Sequence, residues 1–130
     1  MSLNYKGQNL FIDNISIKGI TRKNITPFYV YSYKKIKDNF QTFYNCFKRV
    51  NPLVCFSVKS NSNVSILTEL GKLGSGADVV SEGELLKALK AKINPKKLFF
   101  LVLEKQTASY DWLLKKEFYL LMLNLKVRRY

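Results

Sequence analysis

The sequence has no histidine in its 130 residues. That removes the commonest general base and the commonest zinc ligand from the chain. Its two cysteines, Cys46 and Cys55, are too few for a disulfide framework or a thiolate metal set, so no metal site is expected. Acid is scarce: nine Asp and Glu stand against 22 Lys and Arg, giving a formal net charge of +13. Long apolar runs are also missing, and none reaches the roughly 18 to 20 residues a membrane-spanning helix needs. The opening Met1-Ser2-Leu3-Asn4-Tyr5-Lys6 has no apolar signal core. No membrane partner is expected, and the cytoplasm is the expected setting.

What is present argues for a folded chain. Hydrophobic residues make up 47% and aromatics 14%, far more than in a disordered basic tail. The length suits one modest core. The charge invites a nucleic-acid partner. However, lysine far outnumbers arginine, whereas base readout favours arginine forks. The lysines are also scattered from Lys6 to Lys126, with no basic helix or RNA-binding aromatic motif to organise them. A composition rich in Lys, Asn, Ile, Phe and Tyr, residues of A- and T-rich codons, accounts for the charge. No nucleic acid is therefore expected, and a basic nucleic-acid-binding module stays an alternative.

Elements alternate along the chain. Residues 8–12 read as a short strand and 14–22 as a short helix. Pro27 introduces the β-rich run Phe28-Tyr29-Val30-Tyr31. From Ser32 to Val50, Ile36, Phe40, Phe43 and Phe47 recur at helical spacing, and Pro52 breaks that helix. Leu53 to Val58 is a strand. Ile66, Leu67, Leu70 and Leu73 mark a helix face, punctuated by Gly71, Gly74 and Gly76. Ala77 to Val80 is a strand, and a helix from Ser81 buries Leu85, Leu86 and Leu89. Pro95 closes that region, and Lys97 to Phe100 is again a strand. This βα alternation predicts a parallel sheet with helical crossovers, either doubly wound or barrel-like. A full barrel needs roughly 250 residues.

Strand alternation places Val54, Phe56 and Val58 on one face and Cys55, Ser57 and Lys59 on the other. Lys59 then stands at the C-terminal end of its strand, the end where α/β sheets hold their chemistry. An amine there can form a Schiff base with an aldehyde if burial lowers its pKa. Equally, it can be a surface lysine capping an apolar strand. Glu84 completes a Ser81-Glu82-Gly83-Glu84 capping box, and Asp78 can serve the turn before that helix.

The order of these residues resembles the N-terminal barrel of the diaminopimelate decarboxylase family, within the alanine-racemase-like pyridoxal-phosphate enzymes. Thr26-Pro27-Phe28-Tyr29-Val30-Tyr31 is similar to that family's Gly-Thr-Pro-hydrophobic-Tyr-Val-Tyr opening, with Ile25 in place of the glycine. Phe56-Ser57-Val58-Lys59-Ser60-Asn61 resembles Tyr-Ala-Val-Lys-Ala-Asn, whose lysine carries the cofactor. The segment Leu73 to Leu85 resembles Leu-Gly-Ser-Gly-Ala-Asp-Val-Val-Ser-Gly-Gly-Glu-Leu, departing only at Glu82. Ala88, Ile93-Asn94-Pro95 and Lys97-Leu98 continue the likeness.

The resemblance implies an α/β fold, a partial (β/α)8 TIM barrel of the alanine racemase N-terminal type holding its first three to four βα units. It implies pyridoxal 5'-phosphate on Lys59, as catalytic and cofactor-binding residue. It sets Asp78 and Glu84 at acidic positions near the cofactor. The implied reaction is decarboxylation of the amino acid meso-2,6-diaminopimelate to L-lysine and CO2 by a homodimer. A decarboxylase of ornithine, arginine or carboxynorspermidine and a free-standing pyridoxal-phosphate carrier are the other readings.

Beyond Phe100 the likeness stops in this reading frame. The family continues Ser-Gly-Val-Gly-Lys-Thr, where the chain has Leu101-Val102-Leu103-Glu104-Lys105-Gln106. Codons CTG GTG TTG GAA AAA CA(A/G) encode the latter, and reading one base earlier gives TCT GGT GTT GGA AAA ACA, the family motif. The same offset turns codons for Leu121 to Arg128 into Asn-Val-Glu-Ser-Glu-Ser-Glu, the family's next motif. The expected organisation is therefore 1–25, a segment that in the family joins a C-terminal β-domain; 26–100, the start of the barrel; and 101–130, an out-of-frame tail. Such a fragment, lacking the rest of the site, is expected to be inactive.

Overall fold

The computed structural model describes residues 3–100. The expected out-of-frame tail, 101–130, lies outside the described residues. The chain divides into two compact units, the first ending at Asn45 and the second starting at Cys46.

In the first unit, β1 (Leu3–Lys6) pairs antiparallel with β2 (Asn9–Ile12), which pairs with β3 (Ile15–Ser16). Asp13 and Asn14, both at positive φ, form the tight turn between β2 and β3. Asp and Asn tolerate that region best among residues with a Cβ. The expected helix over 14–22 shrinks to α1 (Ile17–Thr21), because this turn and β3 take its first residues. Helix α2 (Tyr33–Cys46) begins where Ser32 Oγ accepts from Lys35 N at 3.0 Å, a side-chain cap. Asp13 accepts a short hydrogen bond from Ser32 Oγ, joining the turn to that cap. The helix ends well before Pro52, in a 3-10 turn (Lys48–Val50) closed by left-handed Asn51. The run at 28–31 forms no ladder among the described residues. Its β-favouring side chains fit a pleated, half-buried surface but do not supply a partner strand.

The second unit is a three-stranded parallel sheet in the order β4 (Cys55–Ser57), β5 (Gly76–Val79), β6 (Leu98–Phe100). Helices α3 (Val64–Lys72) and α4 (Glu82–Lys90) make the two crossovers. Register pairs are Cys55 with Gly76, Ser57 with Asp78, and Asp78 with Phe99. Period-2 alternation sends Ala77, Val79, Leu98 and Phe100 to one face. There they form one buried cluster with Leu67 of α3 and Leu85 and Ala88 of α4. Val58, Ala91 and Ile93 complete it. Both helices therefore cover the same face. The other face carries Cys55, Ser57, Gly76, Asp78 and Phe99.

Asn63 caps α3 by accepting from Ser65 N, and Ser81 caps α4 by accepting from Glu84 N. Gly74, at φ +93°, turns the chain out of α3 into β5, a conformation an L side chain resists. The predicted α4 stripe needs one correction. Leu85 is buried and Leu89 packs at the edge, but Leu86 is 53% exposed. Helical geometry sets Leu86 about 100° round from Leu85, and Ala88 takes the inward place.

Candidate active site

Among the described residues the parallel sheet presents its C-terminal edge through two corners, after β4 and after β5. At the first, the expected strand over 53–58 is shorter: β4 stops at Ser57, and Val58–Ser60 form a 3-10 turn. Val58 anchors this turn with a fully buried side chain. Lys59 follows it and is exposed, so it lies on the turn just beyond the strand rather than on the strand itself. Among the described residues it makes no hydrogen bond or ion pair, so its amine is uncommitted. The loop after it is held by Asn61 and Asn63, and by Lys87 Nζ of α4 donating to Ser62 Oγ at 2.8 Å.

At the second corner, Asp78 stands one register position across from Ser57. Ser57 Oγ donates to Asp78 Oδ2 at 3.3 Å. Asp78 is half-buried, so its charge acts on its neighbours with less solvent screening than a surface carboxylate's would. The adjacent Cys55 thiol is pushed above its ordinary pKa, first by burial and then by the Asp78 charge, with Lys97 opposing.

Glu84 lies at the same end, just after β5, and its carboxylate is engaged. Glu84 Oε2 accepts from Val80 N at 2.9 Å while Ser81 Oγ accepts from Glu84 N at 3.3 Å. This is a capping box reaching one residue further back than usual. The structure thus brings Ser57 and Asp78 into contact and ties Glu84 to the β5–α4 backbone. Sequence reading placed Ser57 on the right face but overlooked it as a partner of Asp78. Its register was legible only once both strand boundaries were known.

The raised Cys55 pKa sets a pH dependence. A thiol held neutral in the fold stabilises it fully below the unfolded thiol pKa, and that contribution fades as pH rises through the folded value. Iodoacetamide at pH 8, read by peptide mass spectrometry, should label exposed Cys46 before Cys55. Equal rates would contradict the described burial of Cys55.

A primary amine and a half-buried carboxylate at the C-terminal edge of a parallel sheet suit an aldehyde cofactor with a cationic ring. Residues 33–124 match the family model of the pyridoxal-dependent decarboxylases, pyridoxal-binding domain. A diaminopimelate decarboxylase of Helicobacter pylori strain J99 is 47% identical over 90 residues, covering 69% of this chain and 22% of that protein. A crystal structure from Aquifex aeolicus superposes with a TM-score of 0.75 at 39% identity, covering 80% of this chain and 26% of the other. M. jannaschii diaminopimelate decarboxylase, solved with L-lysine, gives a TM-score of 0.73 at 36% identity, covering 77% of this chain and 24% of the other. The chain thus spans about a quarter of the length of these relatives. With an α/β fold and a family match over most of its length, this chain belongs to the pyridoxal-binding domain family of the pyridoxal-dependent decarboxylases.

Proposed function

We propose that the chain is the opening of a (β/α)8 barrel that holds pyridoxal 5'-phosphate through Lys59. The whole protein, on this reading, decarboxylates meso-2,6-diaminopimelate to L-lysine and CO2. The observation that carries the reading is the uncommitted Lys59 amine on the turn after β4, at the same sheet edge as the Asp78 carboxylate. Two crossovers covering one face of a consecutively ordered sheet support the barrel, since a barrel keeps its helices outside and its other face within.

Pyridoxal phosphate supplies an electron sink for the carbon that loses CO2. The protein's own groups do the rest. Lys59 offers the attaching amine. Asp78 would add a negative charge near the bound cofactor, favouring a cationic form of its ring. Glu84, by capping α4, fixes the corner that carries Asp78. The small-molecule substrate, a homodimer and a cytoplasmic setting belong to the same reading.

The organisation into 1–25, 26–100 and an out-of-frame 101–130 is part of the proposal. The family match runs to residue 124, past the expected stop at Phe100; the frame argument rests on the two motifs recovered at one offset. Resequencing the DNA across the codons for Phe99 and Phe100 tests it. A second frame carrying Ser-Gly-Val-Gly-Lys-Thr is expected. The frame-restored protein should release CO2 from meso-diaminopimelate in preference to ornithine or arginine. A confirmed single frame would remove the frame proposal, and preference for another amino acid would remove the substrate.

A further inference from the structure

We propose that Ser57 is a positioning residue for Asp78, holding that carboxylate at the C-terminal edge of the sheet. The inference rests on the reading of this edge as the cofactor side, and adds a residue to it. In the resembled motif this position is alanine, which has no donor, so the device belongs to this sequence.

The geometry is direct. Ser57 and Asp78 are register partners on neighbouring parallel strands. Their side chains therefore rise side by side on the face away from α3 and α4. An ionised carboxylate only accepts, so the hydroxyl must donate, and a serine has a single proton to give. At 3.3 Å that proton is directed at Asp78 Oδ2. The space beneath the pair is filled. Gly76, two residues back along β5, has no side chain, and Cys55 Sγ lies 2.6 Å from where a Cβ would be. Asp78 is half-buried, and the Ser57 hydroxyl limits its turning toward solvent.

Cys55 provides a readout that needs no cofactor. Among the described residues, the charged groups acting on its thiol are Asp78 and Lys97. If Ser57 holds Asp78, removing the hydroxyl lets the carboxylate turn to water, where its charge is screened. The thiolate then forms more readily.

The test uses the full 130-residue chain without cofactor. Iodoacetamide labelling of Cys55 is followed against pH by peptide mass spectrometry, with Cys46 as the reference in the same molecule. Ser57→Ala should raise the Cys55 rate about threefold at a fixed pH below its midpoint. Asp78→Asn should raise it at least as much, and Ser57→Ala should add nothing in the Asp78→Asn background. Ser57→Thr, which keeps the hydroxyl, should restore the parent rate. An unchanged rate in Ser57→Ala overturns the proposal. So does an equal effect with and without Asp78, or a parent Cys55 that reacts like an unfolded thiol. Pyridoxal-phosphate loading of Lys59 is scored separately, in the frame-restored protein. Coupling between Ser57 and Asp78 without loading would refute the cofactor reading and keep the contact, and loading without coupling would do the reverse.

Discussion

Replacing Lys59 with alanine in the frame-restored protein is expected to abolish CO2 release and to end borohydride trapping of pyridoxal phosphate on the chain. The loss of rate should be on the order of 10³-fold or more, as when a covalent nucleophile is removed. Lys59 makes no hydrogen bond or ion pair among the described residues and is exposed on its turn. A purely structural account therefore assigns its removal almost no cost, within about 0.5 kcal/mol of stability. Unchanged folding with lost trapping identifies an amine whose purpose is chemical. Lys59→Arg sharpens the test. It keeps the charge and most of the length, but a guanidinium stays protonated and does not attack an aldehyde, so it should fail like alanine. Peptide mapping is essential in so lysine-rich a chain, because surface lysines also react with free aldehyde. The label must sit on the Lys59 peptide at about one per chain, with other lysines well below. Trapping spread evenly over surface lysines, or full turnover by Lys59→Ala, would return Lys59 to the role of a solvated strand cap.

The parallel sheet was legible from sequence because its signals are local. Leu67 and Leu70 repeat at helical spacing, Ser81 and Glu84 write a cap, and Ala77 to Val79 alternate with a buried face. Strand ends were less legible. The apolar run from Leu53 to Val58 reads as one strand, yet pairing with β5 covers only Cys55 to Ser57. Where pairing stops, Val58 turns inward and Lys59 outward. Burial within α4 was misjudged for a related reason. Hydropathy rates Leu86 as it does Leu85, and only the direction of the sheet decides that Ala88 faces inward. The antiparallel strands β1 and β3 gave little signal, since β1 is exposed along its length and β3 has two residues. The contact of Ser57 with Asp78 lay beyond sequence altogether, because it depends on register between strands 21 residues apart.

Replacing Gly76 with alanine should cost more stability than any other single-methyl addition in the described sheet. Gly76 opens β5 between both neighbouring strands. A Cβ there would lie 2.3 Å from the Lys97 carbonyl oxygen and 2.6 Å from Cys55 Sγ. The first contact is with backbone, immediately before β6, and cannot be relieved by a rotamer. The second is with a half-buried thiol in the pair Cys55–Gly76. The methyl must force β5 away from both partners. That threatens the hydrogen bond from Gly76 N to Val54 O at 2.9 Å and the register that sets Asp78 beside Ser57. Overpacking of this kind costs about 1–3 kcal/mol, and backbone clashes can exceed it. Against a typical net stability of about 5–15 kcal/mol, that loss is large enough to lower the unfolding midpoint clearly. Urea titration followed by circular dichroism measures it. Cys55→Ala combined with Gly76→Ala separates the two clashes. Removing the sulfur should recover only part of the loss, because the Lys97 oxygen remains. Gly83→Ala is the control, since a Cβ there meets nothing within 4 Å. In the first turn of α4 it should be neutral or stabilising by up to about 1 kcal/mol. A Gly76→Ala midpoint equal to that of Gly83→Ala would mean that β5 does not run this close to the Lys97 backbone. The register that places Asp78 beside Ser57 would then be wrong.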